Sequence, residues 1–191
     1  MATGTPSEVI LVGANPGVRL FDDNGDVVGY ASVWLVDWST HGKGEVIVVW
    51  HNGQVRVLSP DPELAYWLTQ DFTRHFPEVK GLPWPEPKPD HSELRVERAE
   101  VSVSLDPYHG MVASARDVTV KMSGTLDRRV YATDSFDLGG APHGLSLVLI
   151  PTMNGSIMVQ RDYVPGNVLI ERDRERPSSS AFLAIAEVWR R

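Results

Sequence analysis

The dipeptide Asn-Gly occurs three times in this chain, at Asn24-Gly25, Asn52-Gly53 and Asn154-Gly155, each between runs of β-prone residues. A two-residue hairpin turn of type I′ needs positive φ at both central positions, which Asn and Gly adopt at little cost. Longer turns are expected at Asp106-Pro107-Tyr108-His109-Gly110 and at Pro165-Gly166-Asn167. The spacing between turns is irregular, so the chain holds no internal repeat. Punctuation of this kind directs the chain into antiparallel strands.

The central turn sets a register. Placing Asn52-Gly53 at the tip pairs His51 with Gln54, Trp50 with Val55, Val49 with Arg56 and Val48 with Val57. Side chains alternate across a sheet, so Val46, Val48, Trp50, Val55 and Val57 share one face, a core face. The other face carries Ile47, Val49 and Leu58 with His51, Gln54 and Arg56, which suits the rim of a cavity or an outer face partly covered by a helix. Residues 27–38 are largely apolar on both faces, with Tyr30, Trp34 and Trp38 on one side and small residues on the other. Long strands with an internal glycine are typical of barrels and coiled sheets. Between residues 93 and 105 the apolar parity switches from even (Leu94, Val96) to odd (Ala99, Val101, Val103, Leu105). One extra residue restores a single inward face, which predicts a β-bulge near Arg98. Further strands are expected around 111–122, 129–138, 145–151, 156–163, 168–171 and 181–189.

One segment breaks the β pattern. Asp61 is placed to cap a helix, Pro62 fits its first position, and Leu64, Trp67, Leu68, Phe72 and Phe76 follow at helical spacing. This predicts one α-helix over 61–76, stopped by Pro77. The proline-rich stretch 83–89 reads as a stiff connection across the surface of one domain.

The fold expected is mainly β: a strongly curved antiparallel barrel of about 8–10 strands with one intervening helix. In strand count it is similar in outline to the lipocalin-like architecture, and a two-sheet β-sandwich is the runner-up. The 191 residues form a single domain, 1–191, with ordinary globular composition, 42% apolar and 23% charged. The absence of cysteine excludes disulfides, thiolate metal sites and cysteine nucleophiles. A net charge of −7 without a basic cluster argues against a nucleic-acid partner. The densest charge run, Glu171-Arg172-Asp173-Arg174-Glu175-Arg176, alternates in sign and reads as a solvated strand end or loop. Residues 1–15 lack the pattern of a signal peptide and no stretch is long enough to span a bilayer, so a cytoplasmic, membrane-free protein is expected.

Candidate chemistry is sparse. His41, His51, His75, His91, His109 and His143 show no local ligand spacing, so no metal is assigned and no cofactor is expected. Asp22-Asp23-Asn24-Gly25-Asp26 resembles the start of a calcium loop, but Val27 and Val33 stand where an EF-hand needs glycine and glutamate. Gly139-Gly140-Ala141-Pro142-His143-Gly144 is followed by a strand rather than a helix, which argues against a phosphate cradle and leaves a lid carrying His143. Asp134 shares parity with apolar neighbours and is expected to pair with Arg116. The leading functional reading is a barrel holding a small, mainly apolar ligand, lined by Tyr30, Trp34, Trp38, His51 and Arg56. Two alternatives stand beside it. One is an isomerase-, cyclase- or hydrolase-type enzyme with His51 or His143 as acid or base; the other is a structural or protein-interaction domain. The sequence leaves oligomeric state open.

Overall fold

Strands that are apolar on both faces must be covered on both, and that requirement organises the molecule. The structure is a computed structural model and describes residues 7–88, 90–172 and 175–191. In chain order the first strands are β1 (Val9–Ala14), β2 (Gly17–Phe21), β3 (Val27–Ser39), β4 (Gly44–His51) and β5 (Gln54–Ser59), followed by helix α1 (Pro62–Trp67). Then come β6 (Val96–Arg98), β7 (Ser102–Asp106), β8 (Gly110–Ala115), β9 (Val118–Thr125), β10 (Arg129–Leu138) and the 19-residue β11 (Ala141–Val159). The two-residue strands β12 (Asp162–Tyr163), β13 (Ile170–Glu171) and β14 (Ser178–Ser179) precede β15 (Ala181–Arg190).

A 13-stranded sheet runs in the order β6-β5-β4-β3-β1-β15-β11-β9-β8-β7, with β2 between β15 and β3, and β10 and β12 added on β11. It is antiparallel apart from the β5–β6 pair. β13 and β14 form a separate ribbon. The two ends of the order, β6 and β7, are joined in the chain by residues 99–101 alone.

The two halves of the sheet share one inner core. Val18, Leu20, Ala31, Val33, Ile47, Val49 and Leu58 meet Met111, Ala113, Val118, Val120, Met122, Ile150 and Ile157 there, all buried. The opposite face of β3 and β4 presents Trp34, Val36, Val46 and Val48 to Leu64, Leu68, Phe72 and Phe76 of the helical segment. Trp34 is fully buried, edge-on to Phe72, and its indole N–H donates to Thr73 Oγ1 at 3.0 Å. The valine-rich face of the 44–59 hairpin is therefore the helix-covered one, and its mixed face looks into the sheet. Arg56 on that mixed face forks onto Glu97 of β6 (2.7 and 3.0 Å) and onto Asp117 of the β8–β9 turn (2.9 and 3.0 Å). This ties the two halves together at one end.

Several expectations are refined here. Asn52-Gly53 forms the turn anticipated, with φ of 51° and 72°, and the register is the one derived above. Asn24-Gly25 lies instead in a longer loop, where Asp22 Oδ1 accepts from the backbone N–H of Asn24 and Asp26, both at 2.9 Å. Asn154-Gly155 is not a turn: it lies inside β11, which merges the strands expected at 145–151 and 156–163. A Cβ on Gly155 would lie 2.7 Å from Val18 Cγ2 and 2.9 Å from Ala181 Cβ, so close approach, not turn geometry, requires this glycine. Conversely, the strand expected at 111–122 is the β8–β9 hairpin, turning at Arg116 and Asp117.

The parity switch near Arg98 is not a bulge. Leu94 and Val96 belong to the helix-covered core, while Ala99, Val101, Val103 and Leu105 pack on the inner one, because the chain crosses there from β6 to β7. The segment expected as one helix is α-helical only over Pro62–Trp67, capped by Asp61. A π-helical turn (Leu68–Phe72) and a 3₁₀ turn (Thr73–His75) follow. Its buried row repeats every four residues (Leu64, Leu68, Phe72, Phe76). An α-helix would rotate such a row by about 40° per step, and the wider i→i+5 turn offsets that drift. The expected Asp134–Arg116 pair is absent: Asp134 is exposed and pairs with Arg190 at 3.4 Å, while Arg116 faces Glu97 at 3.6 Å. Asp173 and Arg174 of the alternating charge run, residues 1–6 and Pro89 lie outside the described residues.

A bulge does occur in β15, where it had not been anticipated. Against β11, Val148 pairs with Ile185 and Ser146 with Val188, so two residues, Ala186 and Glu187, oppose Leu147. Ala186 takes φ of 50° to accommodate this. Ala181, Leu183 and Ile185 face the inner core, and the bulge leaves Phe182, Ala184, Glu187 and Trp189 together on the other side. Because left-handed backbone penalises side chains, above all β-branched ones, Ala186→Val should cost about 1–2 kcal/mol. Ala186→Gly should cost nothing or stabilise by a few tenths; urea unfolding midpoints of the two variants check this.

Candidate functional site

The face of the sheet opposite the inner core is not covered everywhere. Between the helical segment and the β10–β11 hairpin it remains open as a cleft of about 300 Å³. Its floor is made by Tyr30 of β3, Leu145, Leu147 and Leu149 of β11, and Phe182, Ala184, Glu187 and Trp189 of β15. These are the outward positions of each strand, brought into one row in β15 by the bulge at Ala186. Phe76, Pro77 and Glu78 form one wall; Tyr131 and Phe136 of β10 form the other. Asn15 closes one end, fixed by its amide donating to Ser32 Oγ (2.8 Å) and to the Val33 carbonyl (3.2 Å).

Three rings make an aromatic corner. Phe76 stacks on Trp189 at 6.1 Å between centroids, and Phe136 stands edge-on to both, 5.1 Å from Trp189 and 6.3 Å from Phe76. Beside them Glu187 is only 2% exposed. Its carboxylate accepts the indole N–H of Trp189. Burial dominates that hydrogen bond and pushes the Glu187 carboxyl up to about 7. Burial also raises Glu78, against the opposing effect of its backbone hydrogen bond and of the positive charge on Arg19. The Tyr30 phenol is held strongly protonated by burial and by the negative charge of Glu78. The cleft thus offers an apolar, aromatic seat with one carboxyl poised near neutrality.

The sequence-derived site residues do not converge. Tyr30 lines this cleft, Trp34 is sealed beneath the helical segment, and Trp38 is half exposed at the far end of β3. His51 and Arg56 lie on the other face of the sheet, in a polar depression of about 230 Å³ with Val49, Gln54 and Gln160. There His51 Nδ1 sits 3.2 Å from the Val28 carbonyl, and the Arg56 guanidinium is taken up by its two carboxylates. His143 lines a third depression with His41, His75 and Asp71. The His143 Nδ1 is 3.0 Å from the Ala141 carbonyl, and the His41 ring stacks on Trp67 at 4.1 Å. Among the described residues no group of three or more His, Asp or Glu could hold a metal ion.

Sequence reasoning missed Glu187. Its signal was present: by simple alternation it shares parity with Ala181, Leu183, Ile185 and Trp189, a lone acid in an apolar row. No protein-family model, curated protein or solved structure matches the chain.

The Glu187 carboxyl binds its proton more tightly in the folded protein than in the unfolded chain, whose value is near 4.5. Its contribution is therefore fully present below that value and is lost as pH rises toward 7, by about 3 kcal/mol. Glu187→Gln keeps an acceptor for Trp189 but cannot ionise. Urea unfolding at pH 5 and pH 8 should show the parent protein losing stability relative to this variant; equal changes in both would refute the assignment.

Proposed function

We propose that this protein is a binding module for a small, mainly apolar molecule seated in the cleft between the helical segment and the β10–β11 hairpin. The observation that carries this reading is the contrast between the two faces of one sheet. The inner face is filled by buried side chains from both halves, whereas the outer face leaves about 300 Å³ lined by leucines and aromatic rings. That volume lies at the lower end of small-ligand pockets, roughly 300–1,000 Å³. Apolar surface left open beside a packed core is recovered by a ligand at about 25 cal/mol per Å² covered.

The same reading takes the sheet as rolled into a barrel-like form, similar in outline to the lipocalin-like architecture. In its favour, the two ends of the strand order follow one another in the chain, and the Arg56 fork links the halves. The ligand seat then lies against the outside of the roll, with Tyr30 as the one residue shared with the set read from sequence. An enzyme built on His51 or His143 has less support, since the two lie in separate depressions and neither lines the cleft.

Titration with an environment-sensitive hydrophobic dye should raise dye emission and perturb tryptophan emission through Trp189. Ala184→Phe, which places a ring on the cleft floor, should weaken dye binding at least tenfold while far-ultraviolet circular dichroism stays unchanged. Undiminished binding by this folded variant would rule the cleft out.

A further inference from the structure

The lining of the cleft has one sign of charge. Among the described residues it includes two carboxyl groups, Glu187 and Glu78, and no lysine, arginine or histidine. Two arginines lie close by: one sets its positive charge near Glu78, and the other is directed to Asp134. Arg19 on β2 has its guanidinium 4.9 Å from the Phe21 ring centroid and reaches the Glu78 backbone carbonyl at 3.5 Å. Arg190, on the same strand as Glu187, turns to Asp134 at 3.4 Å. His75 precedes Phe76 in the chain but lines the third depression. The remaining titratable groups of the lining are the phenols of Tyr30 and Tyr131.

Resting on the reading of this cleft as a small-molecule site, we propose that its ligand is an organic cation, a protonated or quaternary amine on an apolar body. The ammonium group lies against the rings of Phe76, Phe136 and Trp189, with Glu187 as its principal countercharge. Three features support this. Aromatic rings carry negative charge on their faces and attract cations within about 6 Å, most strongly where water is excluded. A buried carboxylate is costly unless it is paired, and among the described residues the side-chain partner of Glu187 is a neutral indole N–H. An anionic ligand would bring a further negative charge beside Glu187, and a neutral one would supply no countercharge, so that burial favours the protonated carboxyl.

Binding and ionisation are then linked. The cation prefers ionised Glu187, so affinity rises as pH climbs through about 7 and levels off above it. Glu78 acts in the same direction. Tyr30, held protonated by burial, does not reverse the sign.

The test is calorimetric titration of the intact protein with three probes of one shape: 2-phenylethylammonium, neutral 2-phenylethanol and the anion phenylacetate. At pH 8 the ammonium should bind at least tenfold more tightly than the alcohol, with phenylacetate weakest. Between pH 8 and pH 5.5 the ammonium should lose more than tenfold in affinity while the alcohol changes little. Glu187→Gln should bring the ammonium down to the level of the alcohol; the pH series on the unaltered protein makes the same test without a variant. Equal affinities for ammonium and alcohol would overturn the cation assignment and leave the apolar cleft standing. Preference for phenylacetate would overturn it as well. Failure of all three probes and of the hydrophobic dye would overturn both.

Discussion

The structure depends on a sheet that is desolvated on both faces. β3 and β4 carry Ala31, Val33, Ile47 and Val49 on one side and Trp34, Val36, Val46 and Val48 on the other, so neither side can be left to water. The inner side is covered by the other half of the same sheet; the outer side is covered by the helical segment. These two solutions differ in completeness. A sheet folded against itself fills its interior, because each strand presents a regular row to another regular row. A single short helical segment has a limited footprint, and beyond its edge, at Phe76 and Glu78, the outer face stays open.

That open edge would be an exposed apolar patch but for β10 and the bulge in β15. β10 adds itself to β11 and raises Tyr131 and Phe136 as a second wall. The bulge at Ala186 turns Glu187 and Trp189 to the side of Phe182 and Ala184, so an acid and an indole enter the same row. One residue in left-handed conformation thereby decides which face holds a carboxyl group that titrates near neutrality. The opposite electrostatic arrangement stands at the other end of the sheet. There Glu97 and Asp117 are held below the ordinary carboxylate range chiefly by hydrogen bonds from Arg56. One site sets its carboxylates against a guanidinium, and the other sets its carboxyl against a neutral indole N–H.

Much of the β architecture was legible along the chain. Asn52-Gly53 gave its turn and register, because two consecutive positive φ values have few other solutions. The helical segment was legible in extent but not in kind: spacing showed which residues are buried, yet a row of exact fours is held against a sheet by a π-helical turn. Asn154-Gly155 misled, since the same dipeptide serves a turn in one place and a close strand contact in another. The parity switch near Arg98 misled for a related reason. A change of face looks identical in sequence whether a strand bulges or the chain leaves one strand for another.

The amino-acid sequence by itself determined the local geometry: hairpin turns, the Asp61 cap, the two apolar faces of 27–38, and the absence of thiol chemistry. These follow from backbone preference and side-chain alternation within a few residues. Only the tertiary structure decided which apolar face is packed solid and which is left open. It also placed Trp34 under the helical segment, His51 and Arg56 in a depression on the other face of the sheet, and Glu187 in one cleft with Phe76 and Phe136. The physical reason is that burial depends on partners far along the chain: residues 76, 136 and 187 meet only after the sheet has folded over and β15 has bulged.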